Sequence, residues 1–196
     1  MMSLLHLSEE RIRIMKIVVE RNGVMRLLKN EFIWIALILI GLFLSSATPY
    51  SDQSIVSPLE RFDWSWIEPT LPNVQFDYAG KEISLDTLGT AGLIEFFLRK
   101  TAHVVTFLAL GALFLKAISR TNLHGGLNVL FAWALANTVA IFDEYHQSLT
   151  PERTALLEDV LLDSTGAAVG VILFGGLLFL RSKRKNGKRA GYVALR

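Results

Sequence analysis

Val160–Leu180 reads VLLDSTGAAVGVILFGGLLFL, an apolar run of 21 residues broken by a single carboxylate. Crossing a hydrocarbon core of about 30 Å takes roughly 20 helical residues, so this stretch predicts a transmembrane helix. Upstream lie Thr101–Ile118 (TAHVVTFLALGALFLKAI), Leu127–Phe142 (LNVLFAWALANTVAIF) and Phe32–Ala47 (FIWIALILIGLFLSSA). The last two hold only 16 residues each, so their spans must borrow polar neighbours at one end. Hydrophobic residues make up 52% of the 196, clumped into these blocks, which suits one membrane domain and no soluble one. With no cysteine, disulfide and thiolate chemistry are excluded.

The basic residues orient the spans. Six precede the first block (Arg11, Arg13, Lys16, Arg21, Arg26, Lys29), and seven follow the last. Lys116 and Arg120 edge the short middle connection, while the other two connections share only Arg61, Lys81, Arg99, Lys100 and Arg153. The positive-inside rule puts both termini and the 119–126 turn in the cytoplasm. The expected fold class is an all-α membrane protein: a four-transmembrane-helix bundle over 32–180, with an N-terminal amphipathic helix and a small extracytoplasmic β-hairpin. Residues 1–31 read as a cytoplasmic amphipathic segment on the inner membrane surface. The tail, 181–196, is basic; beside a span it meets anionic lipid headgroups, not nucleic acid.

Residues 48–99 form the long extracytoplasmic segment. Pro49, Pro58, Pro69 and Pro72 are expected to prevent a long helix there. Further on, VQFDYAGKEISL alternates on both sides of Ala79-Gly80 and predicts that 74–76 pairs antiparallel with 83–85. In the fourth span, Gly166-Ala-Ala-Val-Gly170 spaces small residues as close helix packing requires.

Three span ends carry ionisable residues to one outer zone. Extending the third span draws in Asp143, Glu144, His146 and Gln147, of which Asp143, His146 and Gln147 share a helix face. The fourth span opens with Asp159 and Asp163 one turn apart; the second opens with Lys100 and His103; the re-entry loop adds Arg153. Ionisable groups at membrane depth are costly and usually face a bundle interior or a watery pocket. Charge pairing between helices explains Lys100 and the carboxylates, but not the two imidazoles.

Arg99-Lys100-x-x-His103, Asp143-Glu144-x-His146-Gln147, Pro151-x-Arg153 and then Asp159 ahead of a glycine-bearing helix resemble the VanZ-like family over residues 32–180. Val104 and Phe107 stand where family members often carry Phe and Tyr, Asp163 where Asn is common, and Glu152 where Gly is common. That family is named for a teicoplanin-resistance accessory protein. The resemblance implies the bacterial cell membrane, an envelope role and reduced sensitivity to lipoglycopeptides.

Three chemistries remain open. A hydrolase or transferase acting on an envelope lipid or lipid-linked intermediate would hold an anionic group with Lys100 and Arg153, flanked by Gln147 and Asp163. His146 would be its general base or nucleophile, oriented by Asp143 or Asp159, with His103 as acid partner and Glu144 beside them. A binding protein would shield a lipid or an antibiotic with the same residues. No cofactor motif is present, and a divalent metal on His103, His146 and an Asp is the remaining alternative.

Overall fold

The computed structural model describes residues 30–70, 74–121 and 125–193. The amphipathic helix expected upstream lies outside the described residues. The first apolar block is helix α1 (Glu31–Ser46), opened by the Asn30 side chain, which accepts a hydrogen bond from the Phe32 N–H at 3.1 Å. Two four-residue helices follow, α2 (Tyr50–Gln53) and α3 (Val56–Leu59), then a 3₁₀ turn over Glu68–Thr70. Strands β1 (Gln75–Tyr78) and β2 (Lys81–Ser84) lead into α4 (Leu85–Ile118), α5 (Gly125–Ser148) and α6 (Leu157–Val193). Three helices, α4, α5 and the Leu157–Arg184 part of α6, are long and apolar enough to cross a membrane. Helix α1 is apolar, but its 16 residues fall short of a straight crossing.

The hairpin pairs in the expected register, with Gln75 opposite Ser84 and Phe76 opposite Ile83. Ala79 and Gly80 both hold positive φ, 52° and 73°, as the two-residue turn that matches strand twist demands. Phe76 and Tyr78 then pack on Phe96 of α4, with ring centroids 6.0 and 5.4 Å away.

Helix α4 begins well before the expected span. Residues 85–99, assigned by hydropathy to the outer connection, are helical: Ser84 and Thr87 cap one another's backbone N–H groups at 3.2 Å to open a first turn, and the helix resumes after Gly89. Gly89, at φ 65°, breaks and redirects the first turn. Glu95, Arg99 and Lys100 hide this continuation from an apolar-run reading.

The small residues of α6 do what their spacing predicts. A Cβ on Gly166 would come within 2.7 Å of the Val104 carbonyl oxygen, and one on Gly170 would overlap the Leu108 carbonyl. Gly111 of α4 stands equally close to Ala167. The two helices run parallel along this seam, and Phe107, Leu110 and Ala167 are fully buried there. Across it, α5 lays an inward stripe of Ala132, Ala136 and Ala140 that carries on into Asp143, Glu144 and Gln147. The polar groups therefore occupy the core face of their helix. Outward, Leu130, Phe131, Ile141, Ile172 and Leu173 are exposed, a surface suited to lipid.

Candidate functional site

On α4, Phe96, Lys100, His103 and Phe107 fall on one face by helical spacing, and on α6 Asp159, Asp163, Gly166 and Gly170 do the same. The glycine seam brings these faces together, so the ionisable residues meet in two layers.

The layer nearer the hairpin joins Lys100 to Asp159, whose carboxylate also accepts from the Tyr78 hydroxyl. The Lys100 ammonium lies over the rings of Tyr78, at 4.6 Å, and Phe96, at 5.6 Å. Burial first, and the Asp159 carboxylate second, push the Tyr78 hydroxyl far above its ordinary range and keep it a proton donor. Tyr78 thereby pins the hairpin tip to α6.

One turn further in, His103 Nδ1 stands 3.3 Å from Asp163 Oδ2, and Asp163 is fully buried. Asp143, also buried, accepts from the Ser46 hydroxyl at the end of α1 and from Gln147 Nε2 at 2.9 Å. One ligand atom each from His103, Asp143 and Asp163 lies within 4.8 Å of the others. Glu144 is buried beside them and accepts the Leu156 N–H at 2.8 Å. That bond ties the re-entry loop to the top of α5.

Arg153 donates to Gln147 Oε1 at 3.1 Å and to Gln53 Oε1. Burial, aided by the nearby Arg99 charge, pulls its pKa down. Two further bonds fasten the loop, one to the end of α1 and one to α2: Thr150 Oγ1 donates to the Ser46 carbonyl at 2.6 Å, and the Ser51 N–H to Glu152 at 3.1 Å. Glu152 sits at φ 64°, a left-handed conformation that a glycine adopts without strain, which supplies a backbone reason for the glycine that the resemblance implies at this place.

Between hairpin, α4 and the re-entry loop opens a cavity of about 700 Å³. Lys81, Arg99 and Lys100 give it positive charge, Glu95 a single carboxylate, and Tyr50, Tyr78, Ile83, Phe96 and Leu156 an apolar lining. Glu95 is buried, accepts from Ser54 Oγ at 2.9 Å and lies 3.7 Å from Arg99, whose guanidinium covers the Tyr50 ring at 4.8 Å.

Lys100, His103, Asp143, Glu144, Gln147, Arg153, Asp159 and Asp163 thus all sit at the hairpin end of the bundle. His146 has different company. It stacks on Phe43 of α1 at 4.5 Å and on Phe142 at 6.3 Å, and lines an apolar groove of about 330 Å³ between α1 and α5. One position off the buried stripe is enough to turn it towards that flank. Sequence reasoning missed Tyr78, Glu95, Ser46 and Gln53 as neighbours of the site. The Glu95/Arg99 spacing of four was the legible sign for one of them. Ser46 ends α1, Tyr78 lies in β1 and Gln53 in the short α2, and how those elements fold back over the bundle is a tertiary choice that no local periodicity encodes.

No curated protein and no solved structure matches the chain. The VanZ/LLP1 family model does, over residues 32–180. That range holds the four apolar helices from Phe32 through Leu180, the hairpin and every polar residue of the site described above. With three helices long and apolar enough to span a bilayer, this is a membrane protein that belongs to the VanZ/LLP1 family.

Proposed function

We propose that this protein is a four-span protein of the bacterial cell membrane, both termini cytoplasmic, that acts at the outer leaflet on an anionic envelope lipid or lipid-linked intermediate and lowers sensitivity to teicoplanin-type lipoglycopeptides. The observation that carries this reading is the cavity beneath the hairpin, apolar along its walls and lined by Lys81, Arg99 and Lys100 against Glu95 alone. Such a lining suits a phosphate or carboxylate head attached to an apolar body. Helix α1 would complete its crossing by thinning the bilayer locally and by drawing in the polar residues at its ends, which makes the fourth span. The 13 basic residues of the two terminal segments, against five in the outer connections, set the orientation.

Within the pocket, Arg99 and Lys100 hold the anionic head. His103, oriented by Asp163 one turn deeper, is the group positioned to move a proton at it. Asp159, Asp143 and Glu144 surround that imidazole, and Arg153 with Gln147 supports the loop that closes over it. His146 stands at the head of the apolar groove and is assigned to the lipid body, not to proton transfer. A protein that merely shielded its ligand would use the same cationic lining. The buried acid–base layer, which binding alone does not require, favours a membrane-embedded hydrolase or transferase.

Purified protein should bind short-chain phosphatidylglycerol in preference to phosphatidylcholine, and Arg99→Ala should weaken that binding by about tenfold or more, the scale of one lost charge-assisted contact. Cells expressing it should tolerate more teicoplanin than cells expressing Arg99→Ala at equal abundance. Equal binding of the two lipids would remove the proposal. Turnover of labelled envelope lipid by wild type but not His103→Gln separates catalysis from shielding. Cysteines at Ser57 and Glu152 should label from outside intact cells, and one at Asn186 should not.

A further inference from the structure

We propose that His103, Asp143 and Asp163 form a binding site for a divalent cation of the Zn²⁺ class. Three helices each supply one donor, and the donor atoms already lie within 4.8 Å of one another. Zinc–ligand bonds of about 2.0–2.2 Å bring the ligand atoms of a tetrahedral site to about 3–3.5 Å apart. Side-chain rotations of roughly an ångström therefore complete the closure, without moving a helix.

Charge gives the second argument. Asp143 is 4% exposed and Asp163 is 0% exposed, and the cation-forming group that the described residues bring to this cluster is the His103 imidazole. Lys100 is committed to Asp159 a turn outward, and Arg153 to Gln147 and Gln53. With both ionised, two buried carboxylates carry one negative charge more than a single imidazolium offsets, which a low-dielectric interior penalises. A divalent ion removes that penalty.

The hydrogen bonding points the same way. Asp163 Oδ1 is buried and has no hydrogen-bond partner among the described residues, although its sister oxygen meets His103. Asp143, in contrast, is held from outside the cluster by Ser46 and Gln147. Outer hydrogen bonds of that kind orient a ligating carboxylate. One imidazole and two carboxylates suit Zn²⁺ and Mn²⁺ better than the softer ions that prefer sulfur. Three protein ligands would leave a coordination position open, one turn below the Lys100 that lines the large cavity. Metal binding here needs no lipid ligand, and with an ion bound the proton-moving role would pass from the His103 ring to a water in the open coordination position. It also differs from the set suggested by spacing, since His146 lies among aromatic rings on the α1 flank.

The test uses full-length, tag-free protein in detergent, dialysed against Zn²⁺ or, separately, Mn²⁺, desalted, and assayed for metal by mass spectrometry. Wild type should retain about one ion per chain, and a chelator should lower its melting temperature. His103→Gln, Asp143→Asn and Asp163→Asn should each bind at least about tenfold more weakly and lose the chelator effect. Asp159→Asn and His146→Gln should keep the ion. Should Asp163→Asn fail to fold, His103→Gln decides the matter, because the His103 side chain is 26% exposed and its loss opens no sealed cavity. Wild type that retains neither ion, cluster variants that retain as much as wild type, or His146→Gln losing it equally would overturn the proposal.

Discussion

Where α1 begins, Glu31 is fully buried and meets two cations, Lys116 at 3.4 Å and Arg120 at 2.8 Å. At the hairpin end, Glu95, Asp143, Glu144 and Asp163 are all buried, and Asp163 Oδ1 and Glu144 Oε1 have no hydrogen-bond partner among the described residues. Lys100 meets Asp159 there, Arg99 meets Glu95, and Arg153 meets two glutamines. The first arrangement is what charge does when it only fastens helices: one acid and two cations, each carboxylate oxygen within ion-pair distance of one of them, although Glu31 Oε1 too has no hydrogen-bond partner among the described residues. The second keeps acids buried beyond its means of pairing them. A bundle gains no stability from that, so the difference argues that the hairpin end is arranged for a ligand.

Both ends hang on the α4–α6 seam, and breaking it sets the scale for purely structural damage. Gly170→Val should cost the most, because even its Cβ overlaps the Leu108 carbonyl and backbone cannot give way as a side-chain tip can. Overpacking of this kind typically costs about 1–3 kcal/mol and more where backbone is struck. The expected readout is loss of folded protein from the membrane fraction. Gly41→Val, where nothing lies within 4 Å, should be tolerated.

Next in size is Lys116→Ala combined with Arg120→Ala, which strands Glu31. The two cations are 36% and 62% exposed, so the cluster lies between a surface pair, worth about 0.2–1 kcal/mol, and a buried one, whose breakage costs about 3–5. A loss of about 1–2 kcal/mol in a detergent melt is expected, with lipid binding at the other end unchanged. Altered binding would mean that the two ends are coupled.

Tyr78→Phe tests how the cavity is closed. It deletes the bond to Asp159 while leaving the hairpin packed on Phe96, so it should cost about 1 kcal/mol or less. Proteolysis at the 79–80 turn should quicken. A hairpin equally protected in the variant would show that ring packing alone holds it.

What could be read from sequence divides along the same line. The hairpin was legible residue by residue, because side-chain alternation and a turn that needs positive φ specify register locally. So was the seam, since close approach tolerates only small residues at Gly166 and Gly170. The gathering of Lys100, His103, Asp159 and Asp163 followed from topology and helical phase. Which acid meets which base did not: Lys100 pairs with Asp159, a choice made by the axial offset of α4 against α6 that no single helix encodes. Glu95 was missed for a different reason. Its helix continues through a charged stretch that hydropathy reads as a connection, although Ser84-x-x-Thr87 marked where that helix starts.

Glu144→Gln is the mildest change and the sharpest divider. Glutamine matches the shape of glutamate, and its carbonyl oxygen can still accept the Leu156 N–H that Glu144 accepts at 2.8 Å. What disappears is an ionisable carboxyl on a side chain only 3% exposed, with one oxygen unpartnered among the described residues. If that carboxylate were glue, removing it should cost at least as much as stranding Glu31. If it is kept for chemistry, stability should change by less than about 1 kcal/mol, towards gain more than loss, because a buried ionisable group has been retired. Teicoplanin tolerance should fall all the same, with membrane abundance held at the wild-type level. Melting temperature and drug sensitivity measured on the same preparation separate the two: a destabilised variant with normal protection would return the hairpin end to the same category as Glu31, and the contrast between the ends would be gone.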